Sequence, residues 1–269
     1  MITRTIASKE GRIALRSGLD RKAMPSSGFG IATSFFISLF LGWNSLAQQP
    51  SPACSPCQQP PTAEAWAALS RYPSANAELL AKQSKEDRVV FFGDSITDFW
   101  NLGDFFPGKN YINRGIGGQT TPQMLLQFRQ DVVALRPKVV VILAGTNDVA
   151  ENTGPETLDD IEGNLACMAE VAQANHIHVV LSSILPVAVY PWRKEIQPIV
   201  KIEALNNWMK GFAAGRELVY LDYYSALVDD QHGMKTALSE DGVHPNKAGY
   251  AVMQPLAQRA INEGLQDKR

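Results

Sequence analysis

From Glu64 onward, short apolar runs alternate with longer stretches in which apolar residues recur every three or four positions. Residues 88–92 (RVVFF) form a first run, and residues 138–144 (KVVVILA) are apolar nearly throughout. Runs of that length without polar alternation suit strands covered on both faces. Residues 110–113, 176–182 and 218–221 read as three further strands. Between them, Leu158, Ile161, Leu165, Met168 and Ala172 make one apolar stripe along a helix expected over 155–175. Thr121 followed by Pro122 marks another helix start, with a capping hydroxyl and a proline in the first turn. A further helix is expected over 194–214. Asn246 should cap the last one, which carries Tyr250, Met253 and Ala257 and should kink at Pro255. Strands alternating with helices predict an α/β fold, a five-stranded parallel sheet with helices on both faces. In such sheets a site lies beyond the carboxyl ends of the strands, here after Phe92, Asn113, Ala144, Ser182 and Leu221.

The segment before this pattern differs in kind. Arg21 and Lys22 precede an apolar run over 29–43, and Ser45 and Ala47 stand as small residues before Gln48. That is the layout of a signal peptide over 1–47, cleaved near Ala47, for a secreted or periplasmic protein; the alternative is an uncleaved membrane anchor. Residues 48–63 are rich in Pro, Gln and Ser and read as a linker, leaving 64–269 as the folded domain. Cys54 and Cys57 fall in the linker as Cys-x-x-Cys, with no second ligand pair spaced for zinc and too many prolines for a redox helix. They read as a local disulfide or idle thiols; a lipid-bearing Cys54 is disfavoured by Pro52. Cys167 falls on a helix and is expected in the core.

Composition narrows the function classes. The 269 residues carry 25 Lys plus Arg against 27 Asp plus Glu, and the leader holds more of the bases than of the acids. A mildly acidic domain offers no attraction to nucleic acid or anionic membranes. Three cysteines make no disulfide scaffold.

Four short segments carry chemistry. Gly93-Asp94-Ser95 follows the first strand and puts a serine at the edge of the sheet, where it needs a base to become a nucleophile. Asn113-Arg114-Gly115-Ile116-Gly117-Gly118-Gln119 follows the second, with glycines that let the backbone approach a ligand. Its spacing does not fit a dinucleotide fingerprint or a P-loop. Gly145-Thr146-Asn147-Asp148 follows the third and offers an amide donor for a developing oxyanion. Asp241-Gly242-Val243-His244-Pro245 places an acid three residues before an imidazole, so that Asp241 fixes the tautomer and the far nitrogen takes a proton from serine. His176 and His178 are expected on a strand, as structural residues, and His232 without a comparable partner.

Together these segments resemble the SGNH/GDSL hydrolase family of lysophospholipase-L1-like esterases. The matching positions are Gly93 to Ser95, Gly118, Asn147, and Asp241 with His244, within residues 88–256. GDSITDFW and NRGIGGQTT look most like the branch of platelet-activating-factor acetylhydrolase catalytic subunits. The resemblance implies a three-layer α/β/α flavodoxin-like fold and no cofactor or metal. It also implies Ser95 as nucleophile, His244 as base, Asp241 as its orienting acid, and an oxyanion hole from the amides of Ser95 and Gly118 and the side chain of Asn147. Gln119 stands where many relatives carry Asp. The expected activity is hydrolysis of small-molecule, lipid or carbohydrate esters, with short acyl groups favoured because no long apolar lid segment is evident. An acyltransferase and a non-catalytic binding module are the rivals. Asp94, Phe99, Trp100, Tyr190 and Trp192 are candidate substrate contacts, and the sequence is silent on oligomeric state.

Overall fold

The structure is a computed structural model and describes residues 61–82 and 87–266. The expected leader, its cleavage site, Cys54, Cys57 and most of the linker lie outside the described residues. Among the described residues the five runs form β1 (Val89–Gly93), β2 (Tyr111–Gly115), β3 (Val139–Leu143), β4 (His178–Ser182) and β5 (Val219–Leu221). All pair in parallel, in the order β2-β1-β3-β4-β5. That is the flavodoxin-like order, whose switch point lies between β1 and β3.

Successive residues of a strand point to opposite faces, and here both faces are buried. Val90, Phe92, Val140, Ile142, Val179 and Leu181 pack against Phe128, Ile161, Leu165 and Leu205. Those partners come from the helices Thr121–Asp131, Leu158–Ala174 and Ile199–Gly215. Val89, Phe91, Val139, Val141 and Val180 face Met253, Ala257 and Ile261 of the last helix, Lys247–Gln266. This makes the three α/β/α layers. The double burial explains why the strands read as unbroken apolar runs.

Element ends differ from the sequence reading for local reasons. β2 runs on through Arg114 and Gly115, although a charged residue interrupts the apolar run. Arg114 is buried because Nε donates to Asn76 Oδ1 at 2.9 Å and the guanidinium lies over the Tyr72 ring, 4.6 Å from its centre. The first long helix is capped by Thr120 rather than Thr121: the Thr120 N–H donates to Gln123 Oε1 at 2.9 Å, and Thr121 is the first helical residue. The expected helix over 194–214 begins later, at Ile199. Asn246 does cap the last helix, accepting from the Ala248 and Gly249 amides, and that helix continues through Pro255 unbroken. Cys167 is exposed and not in the core, because the buried stripe of its helix runs through Leu165, Met168, Ala169 and Ala172. His176 is not on a strand; it turns the chain at φ 59°, and β4 starts at His178. His232 does have a partner, Glu203 Oε1 at 2.7 Å from Nδ1.

Candidate active site

Ser95 reaches the carboxyl end of β1 through a turn that only glycines permit. A Cβ at Gly93 would collide with Thr97 Oγ1 and sit 2.6 Å from the Leu143 carbonyl. A Cβ at Gly115, its neighbour across the β1–β2 pair, would collide with the Asp98 amide and sit 2.7 Å from the Thr97 carbonyl carbon. The short helix Ser95–Asp98 therefore rests directly on the strand ends. Asp94 caps it, its Oδ1 accepting from the Ile96 amide at 2.9 Å. Asp94 is fully buried, and its other oxygen has no protein partner. Burial pushes its carboxyl up to about 7, against the pull of the Ile96 amide and the His244 charge.

The loop before the last helix brings His244 to this serine. Ser95 Oγ lies 2.8 Å from His244 Nε2, and His244 Nδ1 lies 2.7 Å from Asp241 Oδ2. Asp241 is held by its other oxygen, which accepts from the Val243 amide at 2.9 Å, the His244 amide at 2.8 Å and the Ser239 hydroxyl at 3.1 Å. Partial burial raises the Asp241 carboxyl, but the bonds from the His244 ring and from the two amides outweigh it and bring it to about 2. A carboxylate ionised at neutral pH accepts a hydrogen bond from Nδ1–H and keeps the proton on that nitrogen, leaving the Nε2 lone pair to face the serine hydroxyl.

The three groups expected to donate to an oxyanion follow β1, β2 and β3. The Ser95 N–H starts a helix and has no intrahelical acceptor. Gly118 sits at φ 78°, in the left-handed region, and its loop is tied to the serine helix by the Gly117 N–H donating to Asp98 Oδ2 at 3.2 Å. Asn147 follows β3 across the switch point. Its Nδ2 donates to the Gln119 carbonyl at 3.0 Å, which leaves one amide hydrogen for a ligand, and its Oδ1 accepts from Asn152 Nδ2 at 2.7 Å. Asn152 also accepts from the Trp192 indole N–H at 3.0 Å. The sequence reading missed Asn152, which is marked by no motif. The Gln119 side chain is buried, donates to the Ala67 carbonyl at 2.8 Å and pairs with Gln127.

The candidate contacts divide. Trp100 is buried and stacks on Tyr250 with ring centres 5.1 Å apart, so it belongs to the core, not to a pocket. Tyr190 is also buried; its hydroxyl donates to the Thr146 carbonyl at 2.9 Å and so braces the residue before Asn147. Trp192 and Phe99 are exposed, with rings centred 6.2 and 5.5 Å from the His244 imidazole. A cleft of about 480 Å³ runs from Phe99 past Asn101, Asp104, Asn246 and Lys247. Among the described residues no group of three or more His, Cys, Asp and Glu is placed to hold a metal ion, and no helix is long and apolar enough to cross a membrane.

A serine hydroxyl bonded to an imidazole that is itself bonded to a carboxylate is an arrangement able to carry acyl transfer. Comparison with known proteins agrees. The profile of the GDSL-like Lipase/Acylhydrolase family matches residues 91–252. The crystal structure of a GDSL-like lipase from Bacteroides thetaiotaomicron is similar at 45% identity and TM-score 0.70, over 74% of this chain and 98% of that one. An uncharacterized lipoprotein of Bacillus subtilis, YqeF, is 30% identical over 66% of this chain and 88% of its own length. Platelet-activating factor acetylhydrolase IB subunit alpha1 of Pongo abelii is 26% identical over 63% of this chain and 73% of its own.

Proposed function

Since the chain belongs to the GDSL-like Lipase/Acylhydrolase family, and is thereby an ester-hydrolysing enzyme, we propose that it is an exported serine esterase acting on short acyl esters through Ser95, His244 and Asp241. The observation that carries this reading is the continuous chain from Ser95 Oγ to His244 Nε2 at 2.8 Å and from His244 Nδ1 to Asp241 Oδ2 at 2.7 Å. Ser95 Oγ attacks the ester carbonyl carbon as its proton passes to His244 Nε2. The carbonyl oxygen becomes an oxyanion held by the Ser95 and Gly118 amides and the free Asn147 hydrogen. The C–O bond to the alcohol then breaks, and the alcohol oxygen takes the proton from Nε2. Water attacks the acyl-enzyme, giving its proton to Nε2. Collapse releases the acid and returns the proton to Ser95 Oγ. Imidazolium forms twice, and the Asp241 carboxylate stabilises it each time.

Short acyl groups are supported by a relative named as an acetylhydrolase. Export is supported by the layout of residues 21–47 and by a relative named as a lipoprotein. Hydrolysis of p-nitrophenyl esters from acetyl to palmitoyl, beside Ser95→Ala, tests the reading. Ser95-dependent rates that fall steeply beyond butyryl are expected. Rates that peak at long chains would contradict the short-acyl reading.

A further inference from the structure

Among the described residues only two aromatic side chains are exposed, Phe99 at 62% and Trp192 at 44%, and both border His244. Exposed aromatic rings collected at a catalytic base ask for a ligand. Their side of the site is fixed by the chemistry. The acyl group must lie between Ser95 and the donors from Gly118 and Asn147, whereas His244 Nε2 must reach the departing oxygen to protonate it. Rings that border the imidazole therefore border the leaving alcohol. We propose that Phe99 and Trp192 form the alcohol subsite of this enzyme and that the alcohol they take is a sugar ring, so that the substrate is an acylated carbohydrate. The proposal rests on the serine-esterase reading.

The surroundings favour a sugar over an alkyl chain. The face of an aromatic ring is electron-rich and attracts the polarised C–H groups of a pyranose. The hydroxyls at the rim of the same pyranose need hydrogen-bond partners. Phe99 supplies a face in a cleft that also offers the Asn101 side-chain oxygen, the Asp104 carboxylate and the Lys247 ammonium, Asp104 being held by Asn101 Nδ2 at 2.8 Å. Trp192 is held rather than loose: its N–H is used by Asn152 at 3.0 Å, and its ring packs on buried Tyr190 with centres 5.3 Å apart. On the same loop Arg193 pairs with Glu151 at 3.4 Å, so the rim around this ring is polar as well. Apolar platforms set among amides and charges fit a molecule with apolar faces and a polar edge. Phe105, Pro245 and Tyr250 line the same cleft, but an alkyl chain laid there would also cover Asn101, Asp104 and Lys247.

The test compares kcat/KM on an acetylated methyl xyloside and on ethyl acetate, for the wild type, Phe99→Ala, Trp192→Ala, the double variant and Trp192→Phe. The wild type should prefer the sugar ester by about tenfold or more. Each alanine variant should lower the ratio of the two substrates by about fivefold, the worth of one lost ring contact, and the loss should fall in KM. Trp192→Phe should retain most of the preference. A disturbance passed through Asn152 to Asn147 would instead lower kcat on both substrates alike and leave the ratio in place. A ratio that moves less than twofold in the double variant overturns the proposal. So does a wild type that works faster on an acylated choline lipid than on the sugar ester. Ser95-dependent turnover of ethyl acetate separates the two levels: its absence overturns the serine-esterase reading itself, and its presence with an unmoved ratio overturns the sugar subsite alone.

Discussion

Asn147 and Asn152 show what a single carboxamide needs in order to act. An amide side chain presents either its oxygen or its nitrogen to a site, and only the nitrogen stabilises an oxyanion. Asn152 settles the choice by donating to Asn147 Oδ1, and the Gln119 carbonyl confirms it from the other side. Asn147→Ala should lower kcat by about a hundred- to a thousandfold, the usual worth of one oxyanion donor. Asn152→Ala should lower kcat about tenfold in the wild type and cause no further loss in Asn147→Ala, because it acts through Asn147; steady-state kinetics on the four proteins checks this. Equal losses in both backgrounds would make Asn152 a residue of general structure. The contact of Ser95 with His244 and of His244 with Asp241 was legible in the sequence, because acyl transfer asks for those residue types at a strand end and in one short loop, whereas Gly118 came from the family resemblance alone. Asn152 was not legible, since its role comes from a side-chain contact with Asn147 Oδ1 that no motif marks and only the folded turn creates. Phe99 and Trp100 make the same point. Both are aromatic and adjacent, and only the end of the Ser95–Asp98 helix decides which is buried.

Elements were legible where burial is uniform and obscure where it is conditional. β1 and β3 are covered on both faces, so their apolar runs announced them. The end of β2 was hidden by Arg114, whose burial depends on Asn76 and Tyr72 from a preceding helix region. The ends of these strands matter most at Gly93 and Gly115, which let the serine helix sit against the sheet. Gly115→Ala should force the backbone at Thr97 and Asp98 outward, costing about 1–3 kcal/mol. Thermal melting should fall by several degrees, and kcat should fall with it because Ser95 moves away from His244. A variant with unchanged melting and turnover would show that the turn has room the structure does not give it.

At the scale of the whole molecule the strand order places Ser95 after β1 and Asn147 after β3, on neighbouring strands at the switch point. The same crossing buries charge. Asp148, beside Asn147, receives the Thr121 amide at 2.8 Å and hydroxyl at 2.5 Å on one oxygen, while its other oxygen and Glu156 Oε2 are both buried without donors. Burial, with Glu156 adding to it, pushes the Asp148 carboxyl up to about 7 against the Thr121 bonds. A folded-state value raised above the unfolded one means stability that is fully present below about pH 4 and lost as pH rises through about 7. Asp148→Asn removes that loss and gives Glu156 a donor. Its melting temperature should exceed that of the wild type at pH 8 by several degrees, with the gap closing towards pH 4; a gap that widens in acid would refute the assignment. Asp241 behaves in the opposite sense. Its carboxylate stays charged down to about pH 2, so the hydrogen bond it accepts from His244 persists through the acid range above that.

The central claim is that Ser95 is the nucleophile. Treatment with a phosphonate ester reagent, followed by peptide mass mapping, addresses it directly. One adduct per chain on the peptide containing Ser95, and none in Ser95→Ala, is the expected result. An adduct on any other residue, or labelling that persists in Ser95→Ala, would contradict it.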